Sequence, residues 1–371
     1  MSIAKRLTGL ARKSAFVTGC IIGLSGIGTS SATAETIGVS LPLSGDATEF
    51  GQKFRTGAKL AMEQYGLDHQ LFIADDGCDT DLGNMAAGDL SSQNPAIVIG
   101  MLCNAPAISI AGQMVESQVP VLISGARSVR LIKDRVRESW NLWRISPGDD
   151  YPVEVAANAI EKLWQTTPYA IVDDGTIYGR SFTDTLRIKM GEKGLEPQFS
   201  DTFRAAQSTQ AGLLRRLQRS GITAVFIASA SVEDLFTIAR NMEEFDIDLD
   251  LIATEALGVL PFLEDAMKVP SGVKIVMAPP PEDAELNELL AQRDIVPDRQ
   301  IYNGYAAIEI ATTALGTTPE ETTENLSTKL FDTVLGPIGF NQDGSSLYNP
   351  YGLYEWDGEK LGQLEQAAET Q

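Results

Sequence analysis

From Thr36 onward, short apolar runs alternate with longer stretches whose apolar residues recur every three or four positions. The first pattern predicts buried strands and the second amphipathic helices. Thr36–Leu41 reads as a strand, followed by a Pro42-Leu43-Ser44-Gly45 loop and a helix from about Phe50 to Tyr65. Gln70–Asp76 is the next strand, and Asp79 or Thr80 caps a helix through Ser91. Ala96–Leu102 is a third, wholly apolar strand, and Pro120–Ser124 and Asn141–Ser146 are the fourth and fifth. Pro147-Gly148-Asp149-Asp150 breaks the pattern, which then starts afresh. Helices over 151–166, 179–193, 210–220 and 232–244 alternate with strands Tyr169–Asp174, Gln198–Phe203, Thr223–Ala228 and Leu249–Thr254. Val273–Ala278 runs into Pro279-Pro280-Pro281, a second break. Helices near 283–293, 298–315 and 319–331 follow, then strands Thr333–Phe340 and Gly352–Trp356 and an acidic tail. Repeated strand–helix units require mostly parallel sheets with helices on both faces. The chain is therefore expected to be α/β, with two doubly wound parallel-sheet lobes.

The third strand ends in Cys103-Asn104-Ala105-Pro106, where a helix begins with Asn104 as its expected cap. A strand feeding the bare N–H groups of a helix N-terminus can hold a carboxylate or phosphate. Most such junctions in α/β proteins bind nothing, so this one needs further support.

The first residues read as an export signal. Lys5, Arg6, Arg12 and Lys13 precede an apolar segment from Ser14 to Gly28, and Ala32-Thr33-Ala34 supplies a small-x-small cleavage pattern. Val17-Thr18-Gly19-Cys20 offers a competing lipid-attachment pattern, disfavoured because the apolar run continues past Cys20. Removing residues 1–34 of 371 leaves 337, enough for about two domains of ~150 residues each. It also removes four cations and no acid, so the formal charge moves from −21 to −25. That balance argues against nucleic acid and anionic membrane as partners. Cys78 and Cys103 remain, 25 positions apart. In an oxidising compartment a disulfide is the default reading, with two free thiols the alternative. Closing that loop stabilises by roughly 3–4 kcal/mol in the chain-entropy account.

No catalytic arrangement stands out. There is no Gly-x-Ser-x-Gly elbow and no phosphate loop, and His69 is the only imidazole, with no ligand spacing around it. Neither a metal nor a cofactor is expected. An exported, acidic, two-lobed chain with loops at strand ends suits the capture of a small ligand.

Ordered matches then carry a resemblance over nearly all of the mature chain. They are Leu43-Ser44-Gly45 with Phe50-Gly51 and Gly57-Ala58, Asp75-Asp76-Gly77-Cys78-Asp79, and Ile99-Gly100-Met101-Leu102-Cys103. Val121-Leu122-Ile123-Ser124, Asp174 to Tyr178-Gly179, Thr254-Glu255, Tyr305-Ala306-Ala307 and Gly336-Pro337 continue them. The sequence resembles the leucine/isoleucine/valine-binding proteins, the type I periplasmic solute-binding components of ABC transporters. The resemblance implies a ligand cleft between two lobes that close by hinge motion, and a disulfide at the two cysteines. It also implies three chain crossings, near Arg144–Asp150, Met277–Pro281 and Val334–Pro350. The expected division is signal peptide 1–34, lobe one 35–146 plus 279–335, lobe two 147–278 plus 336–365, and tail 366–371.

Site residues follow from the same resemblance. The solute's carboxylate is expected on lobe-one loops, at Asn104 and Ala105 and at Ala126 and Arg127. Asn104 stands where the family usually has Ser; a plain helix cap is its alternative role. Arg127 falls on a family Thr, and either binds a solute acid group or points to solvent. On lobe two, Glu255 matches the acid that takes the ammonium, and Tyr178 an aromatic that covers the ligand. Phe50 and Tyr302 are further aromatic candidates. Ala228-Ser229-Ala230-Ser231 lacks a tyrosine common in the family, which reshapes the side-chain pocket.

The function implied is the periplasmic capture of a small zwitterionic amino acid, branched-chain or related, for an inner-membrane ABC permease, by a monomer without catalysis. A binding protein or sensor for amides, urea or aromatic acids is the alternative, and an exported enzyme is disfavoured.

Overall fold

A computed structural model describes residues 35–366. The export segment with Cys20, and the tail beyond 366, lie outside the described residues. The chain forms two compact units, the first of residues 35–126, 131–146 and 280–344 and the second of 127–130, 147–279 and 345–366.

The first pass builds β1 (Thr36–Leu41), α1 (Thr48–Tyr65), β2 (Gln70–Asp75), α2 (Thr80–Ser92) and β3 (Ile97–Gly100). It continues with α3 (Asn104–Gln113), β4 (Val121–Ile123), α4 (Val129–Arg137) and β5 (Leu142–Arg144). The five strands lie in the order β2-β1-β3-β4-β5, all parallel. The inner strands β3 and β4 are apolar and buried on both faces, as expected where helices cover both. On one face, Val98, Val121 and Ile123 pack with Ala87, Leu90, Ala107 and Ile110 of α2 and α3.

The chain then passes into α5 (Tyr151–Trp164), β6 (Tyr169–Asp173), α6 (Ile177–Glu192), β7 (Phe199–Thr202) and α7 (Ala211–Arg219). β8 (Ala224–Ala228), α8 (Val232–Glu244), β9 (Asp250–Thr254) and β10 (Lys274–Met277) complete this pass. A 3₁₀ segment, Glu255–Phe262, follows β9 directly; Pro261 within it is incompatible with a regular helix. The strands run β7-β6-β8-β9-β10, parallel and in the same winding order as the first unit.

Next come α9 (Ala284–Ala291), α10 (Arg299–Ala314), α11 (Pro319–Thr328), β11 (Phe331–Thr333) and β12 (Gly336–Ile338), all in the first unit. α10 lies directly against α1, and two glycines make this possible. A Cβ on Gly57 would sit 1.9 Å from the Ile301 carbonyl oxygen, and one on Gly304 2.1 Å from that of Phe54. Residues 336–344, assigned to lobe two on sequence, group with the first unit. Finally β13 (Gly352–Trp356) pairs antiparallel with β10, and β14 (Leu361–Gln366) antiparallel with β13.

Three expectations need correction. The single strand expected over Thr333–Phe340 is broken by a tight antiparallel hairpin between β11 and β12, in which the Thr333 hydroxyl turns back to the Gly336 carbonyl. The tail expected to follow Trp356 contains β14, entered by a turn in which Asp357 accepts from Glu359 and Lys360 N–H. Asn104 is not the cap of α3. Cys103, in extended conformation, is the cap, and Asn104 is the first helical residue.

Candidate functional site

In both units the strand order reverses beside the first strand of the pass, between β1 and β3 and between β6 and β8. Loops leaving the carboxyl ends of strands flanking such a reversal turn to opposite faces and leave a crevice, where ligands of open α/β sheets bind.

In the first unit the loops after β1, β2, β3 and β4 are tied together. One Asp75 carboxylate oxygen accepts from Leu43, Ser44 and Gly77 N–H at 2.8, 3.2 and 3.0 Å. Burial alone would raise this acid, but the donors prevail and hold it below the usual carboxylate range. Asp76, fully buried, is instead raised by burial, although it accepts from the Ser40 hydroxyl at 2.6 Å and Cys78 N–H at 2.9 Å. Cys78 is disulfide-bonded to Cys103, with Cα atoms 5.3 Å apart. The bond fixes the residue that caps α3, so the first-turn residues Asn104, exposed, and Ala105, partly exposed, are presented on an anchored loop. Ala126 N–H is bonded to the Met101 carbonyl at 3.1 Å. Ala126 is buried, and that bond occupies the backbone donor expected for the ligand. Phe50, in the first turn of α1, is 52 % exposed. Tyr302 is fully buried, and its hydroxyl accepts from Asp283 N–H at 3.0 Å and donates to Asn287 at 2.8 Å. Its observed role is to pack α10 against α9.

Arg127 belongs to the second unit, not to the loop of the first in which its sequence position suggested it. Its carbonyl accepts from Asp149 N–H at 3.1 Å, and its Nε donates to the Pro147 carbonyl at 3.3 Å. Its Nη2 donates to the Tyr351 hydroxyl at 2.7 Å, and its guanidinium lies 5.4 Å from the centre of that ring. Tyr351, buried at the start of β13, donates in turn to Glu255 Oε2 at 3.0 Å. A cation, a phenol and an exposed carboxylate thus form one chain of hydrogen bonds. Burial, then the nearby Glu255 charge, pushes the Tyr351 phenol up, with Arg127 opposing, so the phenol stays protonated and donates at neutral pH.

Tyr178 completes the cluster. It stands in the first turn of α6, 38 % exposed, with its ring 6.1 Å from Phe182, which stacks on Phe226 at 5.3 Å. Burial and Glu255 push its phenol up to about 12, while Thr254 and Arg127 pull the other way. Below it lies a buried polar support. Asp174 accepts from Thr176 N–H and hydroxyl at 2.9 and 2.6 Å and from the Ser229 hydroxyl at 2.8 Å. The Thr254 hydroxyl donates to the Ser229 carbonyl at 2.7 Å and accepts from Ser229 N–H at 3.1 Å. The loops after β6, β8 and β9 are thereby locked to one another, and with them Tyr178 and Glu255.

Tyr351, Asp174, Ser229 and Thr254 were not singled out as site residues on sequence. The signal for Tyr351 is slight: an aromatic between Pro350 and the strand β13. The Ser229 hydroxyl is consumed by Asp174, so the Ala228–Ser231 segment that lacks a tyrosine offers a small, internally satisfied surface. Among the described residues no group of three or more His, Cys, Asp or Glu side chains could hold a metal ion, and no helix is long and apolar enough to cross a membrane.

Residues 35–361 match the periplasmic binding protein family. The Leu/Ile/Val-binding protein homolog 2 of Brucella abortus is 22 % identical over 361 residues, covering 93 % of this chain and 96 % of its own. A putative branched-chain amino acid ABC transporter structure from Rhodospirillum rubrum superposes with a TM-score of 0.74 at 16 % identity, over 89 % of this chain and all of the other. A Rhodopseudomonas palustris solute-binding protein in complex with p-hydroxybenzoic acid superposes with a TM-score of 0.65 at 15 % identity, over 90 % and 96 %. The family is one of non-catalytic solute-binding proteins, and membership accords with the export signal read at residues 1–34. The chain belongs to the periplasmic binding protein family, as an exported solute-binding protein.

Proposed function

We propose that this protein captures a small zwitterionic amino acid, branched-chain or related, and delivers it to an inner-membrane ABC permease. The observation that carries this reading is Glu255, an exposed carboxylate at the carboxyl end of β9, held by the Tyr351 hydroxyl beside the Tyr178 ring. A fixed acid next to an aromatic surface suits an ammonium group and an apolar side chain. Asn104 and Ala105, at the first turn of α3, are the proposed contacts for the carboxylate, since helix N-termini favour anions. Ala126 contributes by shaping that loop, and Phe50 as an exposed aromatic in the first turn of α1. Arg127 places a cation near Glu255 and favours solutes that carry an acidic group. The printed names of the Brucella and Rhodospirillum relatives agree with an amino acid of this class.

A second reading, an aromatic acid, is favoured by the same Arg127 charge, which partly balances Glu255 without a solute ammonium. The Rhodopseudomonas palustris complex supports it by fold alone. Thermal-shift screening of ligand-stripped mature protein separates the two. A ligand at 100 times its Kd stabilises the folded state by about 2.7 kcal/mol. An α-amino acid is expected to raise the melting temperature. Stabilisation by benzoates and by no amino acid would replace the first reading with the second.

A further inference from the structure

We infer that Tyr351 is a specificity-determining residue that aims the Glu255 carboxylate at the solute's amino group. The inference rests on the reading of Glu255 as the ammonium acceptor.

Glu255 is exposed and begins an irregular 3₁₀ segment directly after β9. The Tyr351 hydroxyl supplies the fixed point, donating to Oε2 at 3.0 Å. Tyr351 itself is held at both ends. Its backbone N–H is bonded to the Asn349 side chain at 3.0 Å, its ring is buried, and its oxygen accepts from Arg127 at 2.7 Å. Because Arg127 is permanently a donor, the phenol proton is directed away from it and onto Glu255. The polarity of the chain is therefore set: guanidinium to phenol, phenol to carboxylate. One carboxylate oxygen is spent on Tyr351, which orients the group toward a second, incoming donor. An ammonium supplies such a donor with charge, whereas a hydroxyl in the same place supplies it without. The relay thus acts on the amine end of the solute and leaves the acid end alone.

The test is calorimetry on the mature protein and on Tyr351→Phe and Glu255→Gln. Phe keeps the buried ring and the guanidinium stacking and removes only the hydroxyl. The twenty common L-amino acids are titrated singly, and the tightest is compared with its 2-hydroxy analogue. A hydrogen bond to a charged group corresponds to roughly 10- to 100-fold in affinity. Glu255→Gln is expected to weaken the amino acid by about that factor, and Tyr351→Phe by about 5- to 10-fold because Glu255 remains but is no longer aimed. In both variants the 2-hydroxy acid should change less than about twofold, so that the amine-to-hydroxyl preference falls. A Tyr351→Phe protein that keeps the wild-type preference while Glu255→Gln loses it overturns the inference and leaves the reading of Glu255 intact. Equal weakening of both probes by Tyr351→Phe also overturns it, since that marks a general packing role. Failure of every amino acid to bind the wild-type protein overturns the functional reading and this inference with it.

Discussion

Gly179 and Gly191 lie on the same helix, α6, and the same substitution should have opposite effects at the two. A Cβ on Gly179 would sit 2.4 Å from Asp174 Oδ1 and 3.1 Å from the Ala228 carbonyl oxygen. The first contact is a full ångström inside the ordinary 3.4–4 Å range. Asp174 cannot simply step aside, because three hydrogen bonds hold its buried carboxylate. Displacing it forfeits at least one bond to a charged group, about 1.5–3 kcal/mol, and overpacking of this kind typically costs about 1–3 kcal/mol. The gain in helix propensity from Gly to Ala, up to about 1 kcal/mol, offsets only part of this. The net expectation for Gly179→Ala is a loss of about 2 kcal/mol. At Gly191 the new methyl would meet only the end of the Glu196 side chain, at 3.6 Å, so the propensity gain stands alone at about 0.5–1 kcal/mol. Urea denaturation followed by far-UV circular dichroism reads both, with a lower midpoint for Gly179→Ala and a higher one for Gly191→Ala. Gly179→Ala should also weaken amino acid binding, because Tyr178 and the loop after β6 must shift with Asp174. Midpoints that move in the same direction, or an unchanged midpoint for Gly179→Ala, would refute the claim that Asp174 is a rigid support.

Other consequences concern the rest of the fold. Replacing Cys78 and Cys103 together by Ala opens a 25-residue separation and should cost about 3–4 kcal/mol in a urea titration, with an added loss of amino acid affinity because the cap of α3 is freed. Gly304→Ala drives a methyl into the Phe54 carbonyl and should lower the melting temperature far more than Gly191→Ala raises it; an unaffected melting temperature would deny the close α1–α10 approach. Tyr169 and Tyr305 are pushed up to about 12, in both cases chiefly by burial. An unfolded tyrosine ionises near pH 10, so between about pH 10 and 12 the folded chain holds protons that the unfolded chain has lost. The contribution of these two tyrosines to stability should therefore be flat below about pH 10 and fall as pH rises toward 12. Absorbance at 295 nm should show phenolate forming later in the folded protein than in urea; coincident titrations would contradict the burial of these rings.

Much of the fold was legible because its signals are local. Asp79 caps α2 as expected, with its carboxylate accepting from Asp81 and Leu82 N–H, and β1 and β13 fall on the residues their apolar pattern marks. β14 was missed because Leu361-Gly-Gln-Leu-Glu-Gln carries only two apolar residues, and the partner that makes it a strand is β13. The disulfide followed from compartment and count. The site was legible only in part. Glu255 and Tyr178 stand at strand ends flanking or near a reversal of strand order, where sequence can point. Tyr351 reaches Glu255 across 96 positions and Arg127 across 224, separations at which no local pattern informs. Arg127 shows the same limit in another form. Its neighbours in sequence, through Ala126, lie in the first unit, while its hydrogen bonds to Pro147 and Tyr351 place it in the second. Tyr302 is the converse case, an aromatic at a position marked by resemblance whose ring and hydroxyl serve packing between α9 and α10.

The central claim is that this chain holds an amino acid and does not transform it. Native mass spectrometry of the mature protein, purified without stripping and then mixed with an isotope-labelled amino acid pool, tests this most directly. A one-to-one adduct with the mass of a single α-amino acid is expected, lost on denaturation and recovered chemically unchanged. The Glu255→Gln protein should carry little or none of this adduct. An adduct that lacks the amino group, a released product of altered mass, or no amino acid adduct at all would contradict the account.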